Sequence, residues 1–151
     1  MDFRLGVIGF GNMGAAIVSG AINKGALSKD RIGIFDNYEG AIKNARTMEL
    51  KVYNSEKELI ENSGIILIAV KPIHAKELLK KIGPYLKDKL IISIVAGLEA
   101  KTIEQWIKKS FDKEDEQSDI GTRILRVMPN TPAIVGMGVF ALNSGTSATQ
   151  D

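Results

Sequence analysis

Short runs of apolar residues alternate along the chain with longer segments in which apolar residues recur at helical spacing. The short runs predict β-strands, and the longer segments predict amphipathic helices. Strands are predicted at 4–10, 31–35, 51–53, 64–70, 90–95 and 123–128, with a seventh candidate at 138–142. Helices are predicted at 13–24, 38–48, from Ser55 onward, 73–82 and 101–110. Strands that alternate with helices form parallel βαβ units, so we predict an α/β protein with one doubly wound, mostly parallel sheet in three layers.

Local signals support several of these boundaries. Ser55 and Glu58 form a capping-box pattern at the start of a helix. Pro72 ends the apolar run 64–70, because proline cannot donate a hydrogen bond to a neighbouring strand. The highly charged residues 113–118 are predicted to form a solvated loop.

The first predicted strand runs directly into Gly9-Phe10-Gly11-Asn12-Met13-Gly14, and a helix follows. Strand, glycine turn and helix are the context in which a Gly-x-Gly-x-x-Gly segment binds a dinucleotide. Gly9 permits the tight turn, Gly11 lets the backbone approach a pyrophosphate, and Gly14 lets the helix pack closely on the strand. The phosphates would lie at the positive end of the helix. The pattern predicts a nicotinamide or flavin dinucleotide on a Rossmann-like sheet; a glycine turn without a ligand is the alternative.

Asp36 ends the second predicted strand, 22 residues after Gly14. A carboxylate at this place can accept hydrogen bonds from the adenosine ribose hydroxyls. A 2′-phosphate would meet a like charge there, which costs about 4 kcal/mol at ~4 Å and an effective dielectric near 20 before screening. Asn37 and Tyr38 follow, so no arginine offsets this charge. Local physics therefore favours NAD over NADP. In the alternative interpretation, Asp36 turns outward and caps the next helix.

Three further segments follow later strands, at 69–72, 96–97 and 128–132. Ligands of open α/β sheets lie outside the carboxyl ends of the strands, so these segments are expected to lie against the nicotinamide. Their prolines would hold backbone groups in fixed places, and Gly97 permits close approach. The alternative is that the prolines only terminate strands.

Composition excludes several other kinds of site. A formal net charge of +2 over 151 residues is too small to indicate a nucleic acid or an anionic membrane surface as partner. The absence of cysteine excludes a disulfide scaffold, thiolate metal ligands and thiolate nucleophiles. No apolar run reaches the ~18 residues of a membrane span, and the N-terminus has no signal-peptide pattern. We therefore expect one cytoplasmic domain without a metal site.

Four segments together resemble pyrroline-5-carboxylate reductase over roughly residues 3–142. They are Ile8-Gly9-Phe10-Gly11-Asn12-Met13-Gly14, Ala69-Val70-Lys71-Pro72, Ser93-Ile94-Val95-Ala96-Gly97 and Arg126-Val127-Met128-Pro129-Asn130-Thr131-Pro132-Ala133. The first is shared with many dehydrogenases, whereas Met-Pro-Asn-Thr-Pro after Ala-Val-Lys-Pro is far more specific. The resemblance implies the last step of proline biosynthesis, in which NAD(P)H transfers a hydride to the ring imine of 1-pyrroline-5-carboxylate.

The resemblance also implies which residues contact the cofactor and the substrate. Gly9 to Gly14 would hold the pyrophosphate, Asp36 and Asn37 would lie near the adenosine ribose, and Asn54 would lie along the adenosine. The nicotinamide half would lie along Ala69, Val70, Lys71, Pro72, Ala96, Gly97, Met128 and Asn130, and the substrate would also contact Met128 and Asn130. We name no catalytic acid or base, because an iminium carbon already accepts hydride readily. The single histidine, His74, is interpreted as a surface residue of a helix.

The family continues with a helical C-terminal domain that dimerises and supplies substrate-binding groups. Residues 1–142 are therefore expected to form the cofactor-binding domain and 143–151 an unstructured tail toward that absent domain, through which the full-length protein would form a homo-oligomer. This chain alone would bind cofactor with little reductase activity. Family members often use NADPH, whereas Asp36 favours NADH, so both cofactors are candidates. A β-hydroxyacid dehydrogenase-like enzyme and a catalytically silent dinucleotide-binding module are the alternative functions.

Overall fold

The computed structural model describes residues 4–111, 122–130, 138 and 140–145. The strands are β1 (Leu5–Ile8), β2 (Ile32–Phe35), β3 (Lys51–Val52), β4 (Ile65–Ile68), β5 (Leu90–Ser93), β6 (Arg123–Pro129) and β7 (Phe140–Ser144). The helices are α1 (Asn12–Asn23), α2 (Glu39–Thr47), α3 (Glu56–Glu61), α4 (Pro72–Ile82) and α5 (Ala100–Lys108). Short 3₁₀ turns at Lys29–Arg31 and Gly83–Tyr85 precede β2 and β5.

The strands form one sheet in the order β3-β2-β1-β4-β5-β6-β7. Strands β1 to β6 are parallel, and β7 is antiparallel to β6. The predicted doubly wound, mostly parallel α/β sheet is therefore confirmed. The strand order reverses between β1 and β4, because the chain builds one half of the sheet outward to β3 and then returns to the centre. Ligands of such sheets bind at the carboxyl ends of the strands beside this reversal.

The sheet separates two hydrophobic cores. Helices α3, α4 and α5 cover one face, and α1 and α2 cover part of the other. In the central strand β1, Val7 packs with the second core and Ile8 with the first, and both side chains are almost fully buried. Burial of both faces explains why the inner strands are continuous apolar runs without alternation. None of the helices in the described ranges is long and apolar enough to cross a membrane.

The last strand corrects one prediction. Asn143 and Ser144 pair with β6, and the N–H of Gly145 donates to the carbonyl oxygen of Ile124 at 2.8 Å. The expectation of an unstructured end is therefore wrong for Asn143 and Ser144. Strand pairing satisfies their backbone groups whatever their side chains, so a polar composition did not reveal it. The charged segment 113–118 and the tail beyond Gly145 lie outside the described residues.

Candidate functional site

All the predicted site segments lie along one edge of the sheet. Because parallel strands share a carboxyl edge, the residues that follow β3, β2, β1, β4, β5 and β6 lie along it in that order. The site residues at these ends are Asn54, Asp36 and Asn37, Gly9 to Gly14, Ala69 to Pro72, Ala96 and Gly97, and Met128 and Asn130. The fold thus brings residues that are far apart in the sequence into one row along the carboxyl edge of the sheet. The remaining quoted residues, 131–133, lie outside the described part.

Gly9 makes the turn at the end of β1. Its φ of +95° lies in the region that side chains disfavour. Its N–H donates to the carbonyl oxygen of Phe35 at 3.0 Å. A Cβ on Gly9 would lie 2.7 Å from the carbonyl oxygen of Ala69, which is backbone and cannot move away cheaply. Both the conformation of the turn and its closeness to the end of β4 therefore require glycine.

Gly14 lets the first turn of α1 pack against this glycine turn. A Cβ on Gly14 would overlap the carbonyl oxygen of Gly9 and would also reach 3.4 Å from the Cβ of Ala69. The start of the helix is thus fixed directly above the ends of β1 and β4. This position directs the N-terminus of α1 toward the place where the strand order reverses.

The N-terminus of α1 presents backbone N–H groups to an open space. The first helical hydrogen bond runs from Ala15 N–H to the carbonyl oxygen of Gly11 at 2.9 Å, so the amides of residues 11–14 precede the helical ladder. A Cβ on Gly11 would meet no atom of the described structure within 4 Å. In the described chain, α1 also has no side-chain cap and no acidic residue in its first turn. The positive end of the helix is therefore available to an anion.

Asp36 lies beside the glycine turn and is only partly exposed. Its Oδ2 accepts a hydrogen bond from Phe10 N–H at 2.6 Å, and its Oδ1 accepts one from Tyr38 N–H at 2.8 Å. The cap residue of α2 is Tyr38, not Asp36. The alternative in which Asp36 turns outward to cap the next helix is therefore wrong, because its carboxylate points back to the glycine turn that follows the neighbouring strand.

Tyr38 is a site candidate that the sequence analysis missed. Its side chain is 73% exposed although it is large and aromatic. The ring lies over Gly40, where a Cβ would come within 2.5 Å of it. An exposed ring in this place, close to Asp36, offers a surface on which a base can stack. An aromatic residue just after Asp-Asn and two positions before a glycine was the available signal.

Asn54 follows β3, and a helix cap fixes its backbone. Ser55 Oγ accepts a hydrogen bond from Glu58 N–H at 3.2 Å, which confirms half of the predicted capping box. The Glu58 carboxylate accepts from the N–H of Asn54 at 3.3 Å. The reciprocal bond thus reaches one residue earlier than a capping box requires, and the exposed side chain of Asn54 stays at the carboxyl edge.

The segment after β4 begins the other half of the site. Ala69 N–H donates to the carbonyl oxygen of Ile8 at 2.9 Å, so the hydrogen bonding between β4 and β1 continues one residue beyond the end of β4. Val70 packs partly against the core of α3 to α5. Lys71 is the cap residue of α4, Pro72 is the first residue of that helix, and both are exposed. Pro72 therefore ends one element and begins the next, since the first turn of a helix tolerates proline.

The ends of β5 and β6 contribute exposed residues next to this segment. Ala96 and Gly97 are exposed, and Gly97 has a φ of +70° with no atom of the described structure within 4 Å of its missing Cβ. Met128 is 52% exposed, which is unusual for a large apolar side chain at the end of an inner strand. Asn130 is also exposed. These residues form a shallow, mixed apolar and polar surface.

Among the described residues, no cluster of metal-ligand side chains lies in this row. His74 is exposed on α4, and its backbone N–H donates to the carbonyl oxygen of Lys71 at 3.0 Å. The described residues contain no group of three or more His, Cys, Asp or Glu residues that could hold a metal ion.

The carboxyls with shifted pKa values lie at the opposite edge of the sheet, before β2 and β3. A hydrogen bond involving the Ser28 side chain lowers the pKa of Asp30, and a hydrogen bond from Lys29 lowers the pKa of Glu49. Both carboxyls are fully exposed, so these shifts mark surface pairs rather than a reactive site.

The chain is similar to known proteins over nearly its whole length. A family model described as "NADP oxidoreductase coenzyme F420-dependent" matches residues 4–97. A pyrroline-5-carboxylate reductase of Glycine max is 32% identical over 152 residues, which cover 99% of this chain and 51% of that protein. The chain therefore spans about half the length of the curated relatives it matches.

Solved structures show the same domain. A pyrroline-5-carboxylate reductase from Coxiella burnetii matches with a TM-score of 0.84 and 25% identity, over 99% of this chain and 52% of that one. A pyrroline carboxylate reductase from Plasmodium falciparum, crystallised with NADP bound, matches with a TM-score of 0.80 and 32% identity, over 98% of this chain and 50% of that one. Both structures therefore share the fold of this chain over nearly its whole length.

Proposed function

Because this chain belongs to the NADP oxidoreductase family and is a pyrroline-5-carboxylate reductase N-terminal NAD(P)-binding domain, we propose that it binds NAD(P)H for the reduction of 1-pyrroline-5-carboxylate to proline. The observation that carries the proposal is the N-terminus of α1, whose first amides precede the helical hydrogen bonds in the described chain and lie at the open space beside Gly11. Relatives of this chain are about twice as long. We therefore assign cofactor binding to this chain and turnover to an assembly that includes a second half.

The residues present fit a dinucleotide. At Gly11 a side chain would fill the open space, whereas at Gly9 and Gly14 it would strike backbone, so the three glycines serve approach, turn and packing in the way a pyrophosphate site needs. The partly exposed Asp36 and the exposed Asn54 lie at adjacent strand ends, where they would hold the adenosine ribose. Residues 69–72, 96–97, 128 and 130 would line the nicotinamide, which when bound supplies the hydride.

The task left to this chain is positioning. An iminium carbon accepts hydride without a strong general acid, so holding two reactants in line and excluding water are the main contributions of the protein. The backbone at Pro72 and Gly97 would set the plane of the reacting ring. Met128 would cover it with apolar surface, and Asn130 would supply a polar group beside it.

We also propose that NADH is preferred over NADPH. The turn after β2 carries the acidic Asp36, and the residues that follow it, Asn37 and Tyr38, are not basic. A 2′-phosphate near the Asp36 carboxylate would experience a repulsion of about 4 kcal/mol at ~4 Å and an effective dielectric of 20, before screening. The reductase of Plasmodium falciparum binds NADP, so the preference is a property to be measured on this chain.

A calorimetric titration with NADH and with NADPH tests cofactor binding, and two glycines of α1 supply matched variants. Gly11 and Gly20 both have open space where a Cβ would be, but only Gly11 faces the proposed pyrophosphate. We expect Gly11→Val to weaken NADH binding at least about tenfold, because the side chain occupies the path of the phosphates. Gly20→Val should bind as the original chain does.

Two results would contradict the proposal. One is the absence of binding of either cofactor to the unaltered chain, and the other is equal binding by the Gly11→Val and Gly20→Val variants. Turnover is measured separately, as oxidation of NADH that depends on 1-pyrroline-5-carboxylate. We expect binding with little turnover from this chain alone; rapid turnover would show that no second half is needed.

A further inference from the structure

Both oxygens of Asp36 are already bound by backbone of two different turns. Oδ2 accepts from Phe10 N–H in the glycine turn at 2.6 Å, and Oδ1 accepts from Tyr38 N–H before α2 at 2.8 Å. We infer that Asp36 is a positioning residue that fastens the pyrophosphate-binding turn to the ribose-binding turn, independently of any contact with the ribose. This inference rests on the proposed function, because it concerns how the same cofactor site is held in shape.

The glycine turn is held from the end of β2 by two consecutive amides. Gly9 N–H donates to the carbonyl oxygen of Phe35, and Phe10 N–H donates to the side chain of the next residue, Asp36. The ring of Phe10 is 1% exposed and lies in the core of α1 and α2. Phe10 is therefore fixed at its backbone by Asp36 and at its side chain by the core.

Loss of the carboxylate would release this turn. Hydrogen bonds to an ionised acceptor are roughly twice as strong as neutral ones, and the bond from Phe10 is partly buried. Without it, the amides that follow, from Gly11 to Gly14, would be held less firmly before the phosphates bind. Ordering a loop during binding lowers affinity, so Asp36 should raise affinity for any ligand of these amides.

This role is compatible with a ribose contact. A carboxylate has about four lone-pair positions, and two are occupied here by Phe10 and Tyr38 N–H groups. The two roles nevertheless predict different results. If Asp36 only bound ribose, its removal would weaken NADH and leave a ligand without adenosine unaffected. If it holds the turn, its removal weakens both.

The discriminating ligand is reduced nicotinamide mononucleotide, which has a phosphate and a nicotinamide but no adenosine. We would titrate it and NADH into the chain and its Asp36→Ala variant, and follow backbone amide chemical shifts. We expect the affinity for the mononucleotide to fall about tenfold, the size of effect that loss of one charge-assisted hydrogen bond produces. Glu39→Ala is the matched control, because it removes a carboxylate three residues away that makes no hydrogen bond to the glycine turn in the described chain.

Amide hydrogen exchange of the ligand-free protein tests the fastening directly. The amides of Phe10 and Tyr38 should exchange at least about tenfold faster in the Asp36→Ala variant than in the unaltered chain, since exchange follows local opening. Their exchange rates should be unchanged in the Glu39→Ala variant. The Asp36→Asn variant keeps one acceptor oxygen, so its exchange rates should lie between those of the Asp36→Ala and Glu39→Ala variants. It also replaces Asp36→Ala if that variant does not fold, as judged by amide shift dispersion.

Each outcome is decisive. Unchanged affinity for the mononucleotide, with NADH weakened, overturns the positioning role and leaves Asp36 as a ribose ligand. Unchanged exchange at Phe10 also overturns it. If the unaltered chain binds neither ligand, the proposed function fails instead, and the exchange experiment still decides whether Asp36 fastens the turn.

Discussion

The proposed cofactor site divides into two halves, named here for the parts of the cofactor that they would bind, and the halves are built differently. The adenosine half, at the ends of β1, β2 and β3, is held by side-chain bonds to backbone: Asp36 holds Phe10 and Tyr38, and Glu58 holds Asn54. The nicotinamide half, at the ends of β4, β5 and β6, has a weaker counterpart within one strand end, where Val95 N–H donates to Ser93 Oγ at 3.4 Å. Its side chains include exposed ones such as Lys71, Ala96 and Met128.

This difference has a physical meaning for binding and reaction. Groups that are already hydrogen-bonded lose little freedom when a ligand arrives, so a preformed half contributes more net affinity. An open half can instead accept a substrate and further protein surface. We therefore expect substitutions in the adenosine half to change stability and cofactor affinity, and substitutions in the nicotinamide half to affect mainly the reaction.

The largest expected effect is at the junction of the halves, where Gly9 meets Ala69. Gly9→Ala should lower the free energy of unfolding by at least about 3 kcal/mol, because a positive φ and contact with fixed backbone act together. Denaturant unfolding measures this. Gly20→Ala, in the middle of α1, should instead stabilise by about 0.5–1 kcal/mol. Equal unfolding midpoints for the two variants would show that the turn is not packed as described.

Substitution of Tyr38 tests the adenosine half through its affinity for NADH. Tyr38→Ala should weaken NADH binding about tenfold, within the 1–3 kcal/mol that stacking of a base on an aromatic ring provides. The hydrogen bond to Asp36 comes from the backbone N–H of residue 38, so the alanine variant retains it. Binding of reduced nicotinamide mononucleotide should be unchanged, and Tyr38→Phe should bind NADH normally. Equal NADH affinity of the alanine and phenylalanine variants would exclude stacking.

Gly97 is the counterpart of Gly9 in the nicotinamide half. It also has a positive φ, but a Cβ there would meet open space. Gly97→Ala should therefore cost only the conformational term, about 1–2 kcal/mol, in denaturant unfolding. A loss as large as that at Gly9 would mean that the nicotinamide half is as tightly packed as the junction, and the contrast between the halves would fail.

The smallest effect is expected outside both halves, at the pair of Glu49 and Lys29. The hydrogen bond and charge of Lys29 lower the pKa of Glu49 from its ordinary value of 4.5. The pair therefore stabilises the fold above about pH 4.5, and this contribution is lost as the pH falls through the lowered pKa of Glu49. Glu49→Gln should remove a slight part of the acid dependence of the melting temperature. A change in NADH affinity would contradict its remoteness from the site.

Features that depend on a few adjacent residues could be predicted before the fold was known. The apolar runs became strands, and a helix follows the run that Pro72 was predicted to end. The Ser55 cap formed as expected, because a cap joins groups only three residues apart. The glycine turn also belongs to this class, since the conformation of Gly9 and the start of α1 are local backbone properties.

Other features were missed because they depend on which elements become neighbours. Asn143 and Ser144 are polar and were predicted to be unstructured, but they pair with β6 through backbone hydrogen bonds. Tyr38 was missed for a different reason: an aromatic residue after Asp-Asn is a local signal, but it does not show that the residue is 73% exposed. The strand pairing, by contrast, is recorded in no local pattern of side chains.

The sequence by itself determined the kind of fold, the glycine turn and the strand ends at which the proposed site lies, because turn conformation and burial periodicity are encoded in adjacent residues. Only the tertiary structure decided what Asp36 does. Its bond to Phe10 joins residues 26 positions apart and exists because β2 lies in register beside β1. The approach of Gly9 to Ala69 likewise needs β4 to return to the centre of the sheet, which no local pattern records.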